Sequence, residues 1–200
     1  MKKTLFIPAL FACLLLSNCR CGSQNDGDHN DTLQIDSMRI AETPDSTLWG
    51  RMGDGSSMNV LEFITEKGDT LYLAKTSEQT QLEADMIGGL RNFTDRYAIT
   101  TRGAQVDEGL SIQTCINVSQ MMGTWKNEQV KLSLFADGTA DNGAANYTSW
   151  KVMNGKLVLS GKTNTEYGET DRIDTMTIVR LDDDSLFLTT PQHESLAFGR

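Results

Sequence analysis

The chain has 200 residues, with 18 Lys and Arg against 27 Asp and Glu and a net charge of −9. That balance excludes the basic footprint a nucleic-acid partner requires and disfavours charge-driven docking onto anionic lipid. Two His leave little for acid–base or zinc chemistry, and 38% hydrophobic residues exclude a wholly disordered chain.

The chain opens on Met1-Lys2-Lys3-Thr4, a short basic start. Residues 5–16 are then apolar, interrupted only by Pro8. This run is shorter than the roughly 20 apolar residues a membrane span needs, and it fits the hydrophobic region of a secretory signal. Leu16-Ser17-Asn18-Cys19 follows. The segment resembles the lipobox of bacterial lipoproteins, with Asn18 standing where that family has Gly, Ala or Ser. The resemblance implies a signal peptide over residues 1–18. It also implies a diacylglycerol on the Cys19 thiol and a further acyl chain, such as palmitate, on the new amino terminus. The protein would then be lipid-anchored in the envelope of a Gram-negative bacterium, in the outer membrane at its periplasmic face or at the cell surface. Cys13 would leave too short an apolar run for this role, and Cys21 follows Arg20. The alternative is an ordinary signal peptide and a protein free in the periplasm. Only Cys21 and Cys115 would remain as thiols, so no structural disulfide is expected.

Residues 19–45 read as a lipidated, flexible acidic linker. The stretch from Gly22 to Asp31 carries no large apolar group to offset its ordering entropy. Its acidic tract resembles the export signal of some surface lipoproteins of Gram-negative anaerobes; a solvated linker without a message is the other reading. His29 falls here.

Residues 46–118 read as a β domain with one short helix. Strands are expected over 47–52, 58–65 and 70–75, with Lys67-Gly68-Asp69 as a turn. Thr76 and Gln79 are spaced as a capping box, Leu82 and Met86 have helical spacing, and Gly88-Gly89 reads as a stop. Strands over 95–102 and 110–118 follow. In the latter, alternation sets Leu110, Ile112, Ile116 and Val118 on one face and Ser111, Gln113, Cys115 and Asn117 on the other. Three strands, a helix and two strands resemble the element order of the OB-fold, and residues 89–100 resemble its passage into the fourth strand. Phe63 and Tyr72 stand among Glu62, Glu66 and Asp69 on the candidate binding face, which lacks the basic groove of a nucleotide site. The module therefore reads as a spacer or protein contact, ahead of a glycan site.

Residues 119–200 read as a second β domain. Met121-Met122-Gly123-Thr124-Trp125-Lys126 opens it, and its Gly-x-Trp resembles the first-strand motif of lipocalins. Hairpins follow at Asp137-Gly138, at Asn154-Gly155 between residues 147–153 and 156–161, and at Asp182-Asp183-Asp184 between 174–181 and 185–190. The series resembles the lipocalin-like domain of small envelope lipoproteins. The fold class is thus mainly β, a small OB-like barrel followed by a lipocalin-like antiparallel barrel or sandwich. Five or six strands are expected in the second domain, too few to enclose a large ligand cup. A single larger barrel from Thr47 to Arg200 is the alternative.

The lipocalin resemblance implies that Trp125 plugs the closed end of a barrel against a basic residue. Trp125, Tyr147 and Trp150 are the candidate ligand contacts, and Tyr147 and Tyr167 lie near loops and could line an opening. His193 reads as a surface residue, and Cys115 has no His near it in sequence. Asp182-Asp183-Asp184, Asp137-Gly138 and Asp141-Asn142-Gly143 read as solvated turns, because a calcium loop needs six to eight oxygens at set spacing. There is no G-x-G-x-x-G, P-loop or G-x-S-x-G. The expectation is no catalytic residue, metal or cofactor. The expected function is a non-enzymatic binding module for a small apolar or amphipathic ligand. The alternative is an accessory of an envelope or cell-surface complex with no small ligand.

Overall fold

The computed structural model describes residues 44–102, 109–143 and 146–200. The expected signal, Cys19, Cys21, His29 and nearly all of the acidic linker lie outside them. Residues 43–200 belong to one unit built from two β sheets.

The first sheet comprises β1 (Leu48–Met52), β2 (Val60–Thr65), β3 (Thr70–Ala74), β4 (Asp85–Ile87), β5 (Tyr97–Arg102) and β6 (Ser111–Asn117). Antiparallel pairs join β1 to β2, β2 to β3, β1 to β5 and β5 to β6. A parallel contact, Ala74 to Ser111, closes the circuit from β3 to β6, and β4 continues along the same edge of β6. Strict alternation fills the interior: Leu61 faces Leu73 and Phe63 faces Leu71, while Glu62 opposite Tyr72 stays outside. Phe63 is therefore fully buried and does not share an outer face with Tyr72, as the sequence suggested. Tyr97, Ile99, Ile112 and Cys115 complete this core. Gly50 is required where β1 meets β2, since a Cβ there would collide with the Ile64 carbonyl oxygen and the Phe63 ring.

The expected helix after Thr76 does not form. Thr76 instead pairs with Glu83, and Ala84 N–H donates to the Lys75 carbonyl at 2.8 Å. Within the loop thus closed, Ser77 Oγ accepts from Thr80 N–H and Gln81 adopts φ +56. Local Ser and Thr bonding competes with helix. The apolar residues that matter, Ala84 and Met86, recur at the strand period and pack on the first core. One short helix, α1 (Val118–Met121), stands between the sheets. Its N-cap Asn117 is fully buried, accepting from Gln120 N–H at 3.0 Å and donating to Asp95 at 2.9 Å.

The second sheet has eight strands, not five or six: β7 (Gly123–Lys126), β8 (Lys131–Leu134), β9 (Ala140–Asp141), β10 (Tyr147–Met153), β11 (Lys156–Thr165), β12 (Gly168–Leu181), β13 (Ser185–Thr189) and β14 (Ser195–Gly199). Consecutive strands pair antiparallel from β7 to β9 and from β10 to β14, and β14 returns to β7. The remaining seam, β9 to β10, is held by the Thr139–Ser149 bridge and by Trp150 N–H donating to the Gly138 carbonyl at 2.8 Å. The result is a nearly closed meander barrel. It fits in so few residues because β9 is minimal and the turns are tight, with Asn154 and Gly155 both at positive φ as a primed turn demands.

Three bulges reset the inside–outside alternation. On β6, Thr100 pairs with Thr114 and Thr101 with Ile112, so Gln113 is the extra residue. Cys115 therefore joins Ile112 in the first core at 2% exposure, not a polar face, while Ile116 and Val118 turn into the barrel cluster. On β10 the extra residue is Thr148, which places both Tyr147 and Trp150 inward. On β12 it is Val179, which lets Ile178 and Leu181 both face the core.

Candidate functional site

The two ends of the barrel differ. The base carries the turns after β8, β10 and β12 and rests on the first sheet. There Asn154 N–H donates to Thr47 Oγ1 at 2.8 Å, and Arg91 pairs with Asp183. Trp125 is fully buried at this end. Its indole N–H donates to the Met121 carbonyl at 2.8 Å, and the Arg200 guanidinium stacks 4.5 Å from its ring centroid. Arg200 in turn donates to the Gln120 carbonyl at 2.7 Å. The basic partner that the lipocalin resemblance implied for this Trp is thus Arg200.

Trp150 also has a structural task. It is 7% exposed, and its indole N–H donates to the Phe135 carbonyl at 2.8 Å, fastening the β8–β9 turn across the seam. It borders a groove of about 290 Å³ with Trp49, Arg96 and Lys151. The Arg96 guanidinium lies 4.2 Å over the Trp49 ring and is paired with Glu66 at 2.6 Å.

The other end is open. A cavity of about 420 Å³ lies between the turn after β7, Asn142 just beyond β9, the β11–β12 hairpin and the loop after β13. Its floor is apolar, built by Leu132, Leu159, Met176, Leu196 and Phe198. Polar groups ring the mouth, among them Gln129, Asn142, Arg172, Asp174 and Glu194. Of the three candidate contacts, Tyr147 lines this cavity; Trp125 and Trp150 do not. The Tyr147 hydroxyl donates to Asp174, and Arg172 Nε donates to the same carboxylate oxygen at 2.7 Å. The Arg172 guanidinium also lies 5.1 Å over the Tyr147 ring. Burial, reinforced by the Asp174 carboxylate, raises the Tyr147 hydroxyl well above the ordinary tyrosine range. At neutral pH it is a fixed donor.

Arg172 and Asp174 were not singled out from sequence. Their signal was present: two charges separated by one residue share the inward face of a strand. Tyr167 is 97% exposed at the tip of the β11–β12 hairpin and is not among the residues that line this cavity. His193 is an exposed loop residue at φ +64. The Asp182 turn is held by its own Ser185, and Asp137 is held below the usual carboxylate range by the Thr139 hydroxyl and N–H. Among the described residues, no group of three or more His, Cys, Asp or Glu could hold a metal.

A family model described as lipocalin-like matches residues 117–200. A solved structure of a lipocalin-like protein from Bacteroides thetaiotaomicron is 28% identical; the match covers 40% of this chain and 95% of that chain, at a TM-score of 0.34. No curated protein matches. The matched residues are those of the eight-stranded barrel and the helix leading into it, so the chain is mainly β with a lipocalin-like barrel beside a separate sheet.

Proposed function

We propose that the protein is a non-enzymatic envelope lipoprotein whose barrel binds a small apolar or amphipathic ligand through its open end. One observation carries this reading: a barrel plugged at one end by Trp125 and Arg200 and hollow at the other, with an apolar floor and a polar rim. Binding sites combine these features, and the cavity volume falls within their usual range of roughly 300–1,000 Å³. The candidate contacts reduce to Tyr147 at the mouth, joined by Arg172 and Asp174.

The lipid anchor at Cys19, residence in the outer membrane and the division at residues 46–118 and 119–200 complete the proposal. The lipobox-like Leu16-Ser17-Asn18-Cys19 after an apolar run supports the anchor. The circuit β1-β2-β3-β6-β5, closed by a parallel contact, supports an OB-like first domain without its helix. Exposed Ile173 and Val179 on β12, with Tyr167 at its turn, favour the second reading of a protein-contact accessory.

Native mass spectrometry tests the carrier reading. The lipid-free chain from residue 20, incubated with envelope lipid extract and separated again, should retain a discrete added mass that denaturation releases. A clean unliganded mass from every lipid and glycan fraction would sink the carrier and leave the accessory. Incorporation of labelled palmitate, abolished by Cys19→Ala, tests the anchor.

A further inference from the structure

We infer that the free edge of β12, from Glu169 to Ile173, is a strand-addition site for an extended, basic segment of a partner protein. This rests on the protein-contact reading above, names the partner's chemistry, and holds whether or not the cavity carries a ligand. The backbone register gives the edge. In an antiparallel pair, alternate residues turn both N–H and C=O to the same neighbour. Lys162 N–H donates to the Asn146 carbonyl at 3.2 Å, so Lys162 faces β10, and Gly161 and Thr163 face β12. Their partners there are Arg172 and Thr170. The residues that alternate with these, Glu169, Asp171 and Ile173, direct their backbone groups to the opposite edge, as Thr175 does. β13 meets that edge only from Thr177, opposite Thr189. The same register would set Pro191 opposite Thr175, and Pro has no N–H to donate. Thr190 N–H is already turned to the Glu194 carbonyl, at 2.9 Å. The ladder ends there. Among the described residues no strand pairs with this edge at Glu169, Asp171 or Ile173, and all three are exposed.

The side chains give the partner. Glu169, Asp171 and Ile173 share the outward face of the strand, and Ile173 is 65% exposed. Glu169 is paired with Lys162 at 3.3 Å, whereas Asp171 has no ion pair among the described residues. On the other face Arg172 is paired with Asp174 at 2.7 Å. The edge therefore presents an open carboxylate beside an apolar side chain. A strand with Lys or Arg opposite Asp171 and an aliphatic residue opposite Ile173 complements both, while its backbone completes the ladder. A second copy of this chain does not. A two-fold pairing centred on Ile173 brings the other copy's Thr170 opposite Met176, where β13 runs on into Thr190. Centring on Thr170, Asp171, Arg172 or Asp174 sets like charges directly opposite each other, which is destabilising.

The probe is the blocked heptapeptide acetyl-Thr-Val-Thr-Lys-Thr-Lys-Thr-amide. In antiparallel register it sets Val against Ile173 and its two Lys against Asp171 and Glu169. It is titrated into the lipid-free chain from residue 20, which keeps the whole unit of residues 43–200, and amide shifts and exchange are followed by NMR. In the free chain the amides of Glu169, Asp171 and Ile173 should exchange at least about tenfold faster than those of Thr170 and Arg172. With peptide, the same three should shift most and become protected. The peptide with Glu in place of both Lys should bind about tenfold more weakly. N-methylation of the first Lys, whose N–H meets the edge, should also cost about tenfold; N-methylation of the Thr between the two Lys, whose N–H points away, should cost no more than about twofold. Asp171→Lys should narrow the preference for the basic peptide to about twofold, with amide shifts elsewhere unchanged as the sign that it is folded. Equal binding of the acidic peptide would overturn the basic partner. Shifts confined to other strands would overturn the edge and leave a protein-contact role. No binding of either peptide, or a dimer of the chain that Ile173→Pro dissolves, would overturn the inference outright. None of these outcomes bears on ligand retention, which the native mass spectrum reads separately.

Discussion

The base and the mouth of the second barrel are made from the same eight strands and solve opposite problems. At the base, a large ring, a guanidinium and two backbone carbonyls bury one another, through Trp125, Arg200, Met121 and Gln120. At the mouth, a similar set of groups, Tyr147, Arg172 and Asp174, stands on the wall and leaves the centre empty. Both ends stack a guanidinium on an aromatic ring. The difference is that Trp125 is fully buried, whereas Tyr147 lines an open cavity. Stability should therefore concentrate at the base and recognition at the mouth.

The sharpest way to break this comparison is Trp125→Ala. It removes a fully buried ring and leaves Arg200 stacked on nothing, so a loss of about 3–5 kcal/mol is expected by denaturant unfolding. A mouth position that should also cost stability is Gly161. A Cβ there would collide with the backbone of Asn146 and Tyr147, so Gly161→Ala should cost about 1–3 kcal/mol and loosen the β10–β11 pairing beside the cavity, as read by amide exchange. Trp150→Phe keeps a ring but loses the bond to the Phe135 carbonyl; about 1 kcal/mol is expected in thermal unfolding, with the seam opening first. At the mouth, Tyr147→Phe should cost no more than about 1.5 kcal/mol. Equal losses for Tyr147→Phe and Trp125→Ala would contradict the division of labour.

Alkaline pH compares the two sheets. Burial pushes the Cys115 thiol in the first core up from 9.0 to about 12, and burial with the Asp174 carboxylate raises the Tyr147 hydroxyl. Both groups hold their protons more tightly when folded. Their contribution is complete below the unfolded values and is lost as pH rises through the folded ones. Melting temperature should fall progressively above pH 9. Cys115→Ala should flatten the first part of that fall and Tyr147→Phe the later part.

The hairpins of the barrel were legible because turn chemistry is local. Asn154-Gly155, Asp137-Gly138 and Gly123-Thr124-Trp125 each carry their geometry in adjacent residues. Closure was not legible. It depends on a two-residue β9, on the return of β14 to β7 and on a seam fastened by Trp150, all non-local. Alternation served until a bulge intervened. Gln113 moved Cys115 into a core, and Thr148 brought Tyr147 and Trp150 to the same interior. No propensity marks those residues as bulges. The helix expected after Thr76 failed because Ser77 bonds locally within a closed loop and the apolar residues that pack on the core, Ala84 and Met86, recur at the strand period. At the site, Tyr147 was found from its place beside a loop. Arg172 was passed over because β12 starts at Gly168, ahead of the expected segment 174–181, and Asp174, at that segment's first position, was left without its partner.

The measurement that tests the central claim most directly is native mass spectrometry of the lipid-loaded chain and two variants. Leu196→Trp would fill the mouth, and Arg200→Ala would remove the stacking partner at the base. The account predicts a retained ligand in the parent chain and in Arg200→Ala, and none in Leu196→Trp. A ligand that persists in Leu196→Trp, or a parent chain that never retains one, would contradict it.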